Sequence, residues 1–154
     1  MNRSTANWIM NTIQCRHCYR RVVPSEVGSD YLCCSFHALA QLFPAGERNR
    51  RRRGHDFLNA TILRTIRVLY ATEETPLAEK TIYSHYFVGA CNWYVSDLHP
   101  ITGQAFGDTD LGIGCPEWGN FDLVKMEEAV VNGWVAIERD LGFAPAKARD
   151  PGIA

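Results

Sequence analysis

Three cysteines and a histidine stand in pairs near the start of the chain: Cys15-Arg16-His17-Cys18 and, with fifteen residues between, Cys34-Ser35-Phe36-His37. A two-residue gap lets both members of a pair point at one ion from a tight turn, and two such pairs complete a tetrahedral Cys3His set. Cys15, Cys18, Cys34 and His37 are therefore predicted to hold a structural zinc ion, Zn2+, with no open coordination position left for catalysis. Cys33 competes with Cys34, because three residues between Cys33 and His37 is also a usable spacing, and His17 inside the first knuckle is a weaker candidate. The opening residues lack the basic-then-apolar layout of a secretory signal, so a cytoplasmic, reducing setting is expected and a disulfide framework is not.

A second chemistry resides in the arginines. Arg48, Arg50, Arg51, Arg52 and Arg53 fall within six positions. Such a run repels itself and has no apolar face, so it reads as an exposed linker whose guanidinium forks can grip phosphate or an acidic surface. No aromatic residue is interleaved to stack on bases, so any nucleic-acid contact should be electrostatic and sequence-tolerant. The third chemistry is acidic. Asp108 and Asp110 share one strand face by period two and could hold a divalent ion, and Glu117 follows. Glu73, Glu74, Asp97, Glu138 and Asp140, with His85 and His99, complete the candidates for acid–base work. No spacing among them matches a two-metal nuclease, a nucleophile elbow or a phosphate loop, and Cys91 and Cys115 have no base at a fixed distance. Asp108, Asp110 and Glu117 are therefore read as an acidic contact surface on loops rather than as a catalytic set.

The charge distribution separates these chemistries. Met1–Val68 carries eleven arginines against four acids, +7, and Leu69–Ala154 five basic residues against thirteen acids, −8. With 46% apolar and 21% charged residues, the 154-residue chain can bury a core, and no apolar run reaches the roughly 18 residues of a membrane span.

The elements that must position these residues follow from periodicity. Tyr19–Val23 and Tyr31–Leu32 read as strands between the two knuckles, and Ser35–Leu42 as a short helix capped by Ser35. Apolar residues at Phe57, Leu58, Ile62, Leu63, Ile66 and Leu69 predict an amphipathic helix from His55 to Val68 or Leu69. Thr81–Val88, Asn92–Leu98, Gln104–Asp108 and Trp118–Phe121 read as strands, Leu123–Val131 as a helix capped by Asp122 and stopped at Asn132-Gly133, and Trp134–Ile137 as a last strand. The predicted class is α+β: a small antiparallel sheet with a flanking helix, preceded by a zinc-ribbon-like module. The predicted organisation is a zinc-ribbon-like module over 1–43, an arginine-rich linker and joining helix over 44–68, an acidic α+β domain over 69–148 and a tail over 149–154.

Leu69-Tyr-Ala-Thr-Glu-Glu74, Asn92-Trp-Tyr-Val95, Ala105-Phe-Gly107, Glu117-Trp-Gly-Asn-Phe-Asp-Leu123, Glu127 and Ile137-Glu-Arg-Asp140 together resemble the bacterial family catalogued as domain of unknown function 2958, over about residues 69–148. The resemblance implies a protein of plasmids, integrative elements and phages, encoded near DNA-transfer and counter-defence genes, and it supplies no catalytic residue. The expected function is therefore a non-enzymatic, zinc-stabilised binding protein of a mobile element, an anti-CRISPR-like inhibitor that occupies a host protein or nucleoprotein stoichiometrically. A sequence-tolerant DNA- or RNA-binding accessory factor using the arginines is the first alternative, and an enzyme with an unrecognised site the second.

Overall fold

Residues 81–98 alternate aromatic or β-branched side chains with polar ones, the pattern of a sheet with one buried face. The computed structural model describes residues 13–14, 21–22 and 35–153. In chain order its strands are β1 (Ile13–Gln14), β2 (Arg21–Val22), β3 (Arg67–Val68), β4 (Thr81–Ile82), β5 (Ser84–Val88), β6 (Cys91–Leu98), β7 (Gln104–Asp110), β8 (Glu117–Asp122), β9 (Val130–Val131), β10 (Val135–Ala136), β11 (Glu138–Arg139) and β12 (Ala146–Lys147). Its helices are α1 (Ser35–Leu42), α2 (Arg50–Arg53), α3 (Ala60–Thr65) and α4 (Leu123–Glu128). The fold class is α+β. The main sheet runs β11-β5-β6-β7-β8, antiparallel throughout, with β3 added parallel to the end of β6. A register shift between Val95 and Asp97 marks a bulge at Ser96. Where β6 and β7 cross most closely, only glycine fits: a Cβ on Gly107 would lie 1.8 Å from the Tyr94 carbonyl oxygen.

One face of this sheet is the core. Tyr86, Val95, Leu98 and Ala105 pack against Leu42, Phe57, Leu58, Ile62, Leu123, Met126 and Ile137. Each large side chain buried this way contributes about 1.5–3 kcal/mol. The cluster crosses the charge division at residue 68: α1, Phe57, Leu58 and α3 supply one side of it.

Arg48 and Arg50–Arg52 are exposed, as expected, but Arg53 is not, and the run is helical. Arg50–Arg53 forms one helical turn ended by Gly54 in the left-handed conformation. Arg53 is enclosed completely, its side chain 0% exposed, with Glu47 at 3.2 Å and Glu127 at 3.0 Å. Its Nε donates to the Ile137 carbonyl at 2.8 Å, and its guanidinium lies 4.7 Å over the Phe57 ring. Glu127 is buried and accepts from the Arg48 and Asn49 backbone N–H groups as well. The sequence pattern missed this because the partners lie 74 or more residues apart.

Two helices are shorter than their periodicity. The expected helix over 55–69 shrinks to α3, because the Glu47 carboxylate takes the N–H groups of Phe57 and Leu58, and Asn59 then caps at Ile62. Its other end turns extended at Ile66, and the following β-branched Val68 pairs in β3. Likewise α4 stops at Glu128: Val130-Val131 joins β10 through a turn with Asn132 and Gly133 at φ 53° and 79°, the Asn-Gly hairpin geometry. The cap by Asp122 and the helix over Ser35–Leu42 are as expected. Of the proposed zinc module, β1 and β2 pair on either side of Cys15 and Cys18, and the backbone of His37 lies in α1. Cys15, Cys18, Cys33 and Cys34 lie outside the described residues, as does the expected strand Tyr31–Leu32.

Candidate functional site

The face of the sheet opposite the core carries the unusual residues. Register sets His85, Tyr94, Asp108 and Trp118 side by side across β5, β6, β7 and β8, with Phe87, Asn92 and Asp110 in the next row and Glu138 of β11 opposite Phe87. His85 stacks on Tyr94 with ring centroids 4.4 Å apart. Its Nδ1 is 3.1 Å from Asp140 and its Nε2 is 2.9 Å from the Asn92 Oδ1. The hydrogen bond to His85 holds the Asp140 carboxyl below its ordinary range, partly opposed by desolvation.

Asp108 is the exceptional member. It is 3% exposed and, among the described residues, has neither a cation nor a side-chain hydrogen-bond donor. Desolvation, with the Asp110 charge adding to it, pushes its carboxyl above the ordinary value. Burial and then Asp108 raise the Tyr94 phenol in turn. Asp110 is half-buried and accepts from the Gly112 N–H at 2.8 Å. The expected trio of acids is thus split. Asp108 and Asp110 lie on a strand, not a loop, and share a face. Glu117 pairs with Thr109, so its register directs it to the other face. No three His, Cys, Asp or Glu side chains among the described residues converge as a metal site requires, and Asp108 and Asp110 find no third ligand.

Residues 69–80 fold over one end of this face. Lys80 Nζ donates to the Thr72 carbonyl and hydroxyl, each at 2.6 Å, and sits 3.7 Å from Asp97. The Thr72 hydroxyl is 2.8 Å from Asp97, and the Ser96 hydroxyl donates to Asp97 at 3.0 Å. Lys80 and Asp97 are both buried, so an unpaired member would be costly, and the network ties the segment to the bulge of β6. Above it lies a cavity of about 600 Å³ walled by Leu69, Tyr70, Leu77 and Phe106, with Glu73 and Glu74 among its lining. Tyr70 has φ 71°, a left-handed conformation that costs a residue with a Cβ roughly 1–2 kcal/mol. The residue is nonetheless 58% exposed. Tyr70 and Lys80 were not singled out by spacing; the only sequence signal was one lysine in an otherwise acidic and apolar stretch.

Ion pairing sorts the thirteen acids after residue 68. Glu79, Asp97, Asp122, Glu127, Glu128, Asp140 and Asp150 each meet a basic side chain. Glu73, Glu74, Asp108, Asp110, Glu117 and Glu138 meet none among the described residues, and all but Glu117 belong to the outer face or its cavity. The arginines are largely committed: Arg48 to Glu128, Arg50 to Asp56, Arg52 to Asn49 and Arg53 to the interior. Only Arg51 of the five lacks a partner among the described residues. No helix among them is long and apolar enough to cross a membrane.

A family model described as a protein of unknown function (DUF2958) matches residues 70–149. Neither a curated protein nor a solved structure matches the chain.

Proposed function

The chain belongs to the DUF2958 family, and we propose that it is a non-enzymatic binding protein of a mobile genetic element, a counter-defence, anti-CRISPR-like inhibitor that occupies a host nucleoprotein stoichiometrically in the bacterial cytoplasm. The observation that carries this reading is the gathering of Glu73, Glu74, Asp108, Asp110 and Glu138, all without cations among the described residues, on one side of the sheet beside exposed or half-buried aromatic rings. Such a surface complements a basic channel built for nucleic acid, steers its approach and competes with the phosphate backbone. Asp108 supports the reading further. Its carboxyl is pushed above the ordinary value by desolvation and by Asp110, it meets no cation among the described residues, and a basic partner would favour its charged form. In this proposal Cys15, Cys18, Cys34 and His37 hold a zinc ion that stabilises the N-terminal module.

The test is a titration of a DNA-binding CRISPR effector from the host. Inhibition should break near one molar equivalent, and the charge reversals Asp110→Lys and Glu138→Lys should weaken it more than a reversal at Glu117, which faces away. Inhibition far below equimolar amounts would reveal turnover and favour the enzyme reading. Absence of inhibition together with tight, salt-sensitive DNA binding would favour the accessory factor.

A further inference from the structure

The cavity between residues 69–80 and the sheet encloses about 600 Å³, within the roughly 300–1,000 Å³ of small-ligand sites. Its walls are mixed: Leu69, Leu77 and two aromatic rings, Tyr70 and Phe106, stand beside polar and charged side chains. Its charge is unbalanced. Lys80 and Asp97 offset each other, while Glu73 and Glu74 are exposed and have no cation among the described residues. Tyr70 keeps a conformation rare for a bulky residue while more than half of it stays in water, so its own burial does not explain the strain. An apolar and aromatic wall under two free carboxylates suits a cation on an apolar stem. A guanidinium fits better than an ammonium, because it is planar, more weakly hydrated and able to stack on a ring.

From this geometry we infer that the cavity receives an arginine side chain of the partner, its methylene stem against Tyr70 and Leu77 and its guanidinium at Glu73 and Glu74. The inference rests on the binding-protein reading and names the anchor within it. Neighbouring positions on the sheet face would supply the wider electrostatic contact.

The probe is the capped peptide acetyl-Gly-Arg-Gly-amide, titrated into the full chain and followed by backbone amide NMR. Its twin carries citrulline, a neutral isostere of arginine. The arginine peptide should shift the amides of Glu73, Glu74, Leu77 and Asn120 saturably. The citrulline peptide should bind roughly fivefold more weakly or worse, and Glu73→Gln with Glu74→Gln should reduce arginine-peptide affinity by a similar factor. Tyr70→Gly should abolish saturable binding yet leave the melting temperature unchanged or higher, since glycine adopts φ 71° freely. Equal affinity for the two peptides overturns the inference, and so does the absence of any shift at millimolar peptide. Shifts confined to Asp108, Asp110 and Glu138 remove the cavity as the anchor but leave the acidic-face reading standing. Peptide binding in the cavity without inhibition of the effector would do the reverse.

Discussion

Replacing Glu127 tests whether its contact with Arg53 is a structural joint. The Glu127 carboxylate accepts from the Asn49 N–H at 2.8 Å, the Arg48 N–H at 3.0 Å and the Arg53 guanidinium at 3.0 Å, with its side chain 1% exposed. Glu127→Gln keeps the shape but removes the charge and turns one acceptor oxygen into a donor. Breaking a buried ion pair by removing one partner costs about 3–5 kcal/mol. Arg53 would still have Glu47 at 3.2 Å and the Ile137 carbonyl, so the glutamine variant belongs near the lower end. Glu127→Ala also strands two backbone N–H groups at ~1 kcal/mol or more each and should approach ~5 kcal/mol. For a chain of this length 1 kcal/mol moves the melting temperature by about 2–4 °C, so the expected losses are ~6–12 °C for Gln and ~10–20 °C for Ala. Thermal melts followed by circular dichroism, with urea titrations to confirm an unchanged slope, measure both. Pairing Glu127→Leu with Arg53→Met should recover part of the loss, because an apolar pair leaves no buried charge. Melting within ~2 °C of the parent for both single variants would refute the joint.

Three further outcomes follow from the same contacts. Asp108→Asn should raise stability at pH 7: the folded carboxyl holds its proton more tightly than the unfolded one, so Asp108 costs stability as pH rises through its raised pKa. That advantage should vanish as pH falls below the unfolded value of about 4, and a melting difference independent of pH would contradict it. The triple change Arg50→Ser, Arg51→Ser, Arg52→Ser should cost no more than ~1 kcal/mol, because all three are exposed, whereas Arg53→Ser alone should cost more than the three together; chemical denaturation of the two variants decides it. Metal analysis should find about one zinc per chain, with chelation unfolding the N-terminal module, and metal-free protein of unchanged circular dichroism would dismiss the site.

What was legible in the sequence was what repeats locally. Period two located β5 to β8 to within a few residues, and the polar start and apolar spacing of Ser35–Leu42 placed that helix. What failed depended on distant partners. Phe57 and Leu58 have helical spacing to Ile62, but Glu47 captures their N–H groups, and no local pattern announces that. Val130-Val131 continues a helical stripe on paper, yet two β-branched residues before Asn-Gly obey the hairpin instead. The outer face was half legible. Period two put Asp108 and Asp110 on one face, but pairing with β6 was needed to bring Tyr94 beside Asp108, and pairing with β8 to bring Trp118 there and turn Glu117 away.

The opposed charges of the two halves take on a different meaning once their contacts are known. Read as two patches, +7 and −8 suggest a protein that grips with both signs. In the fold, Glu127 and Glu128 reach back to Arg53 and Arg48, and Glu47 and Asp56 hold Arg53 and Arg50 from within the basic half. Those arginines spend their charge on internal contacts, and Arg53 spends all of it in the interior. The acids of the outer face are not spent in this way, since Glu73, Glu74, Asp108, Asp110 and Glu138 find no cation among the described residues. Each ion pair removes one charge of either sign, so pairing decides where the unpaired charges lie: Arg51, Arg52, Arg64 and Arg67 meet no acid among the described residues, while the unpaired acids gather on the open side of the sheet. A long-range field of that sign favours approach to a basic partner over approach to bare nucleic acid. The proposed inhibitor reading therefore draws on where the unpaired acids lie, on the open face of the sheet and its cavity, rather than on the raw asymmetry of the sequence.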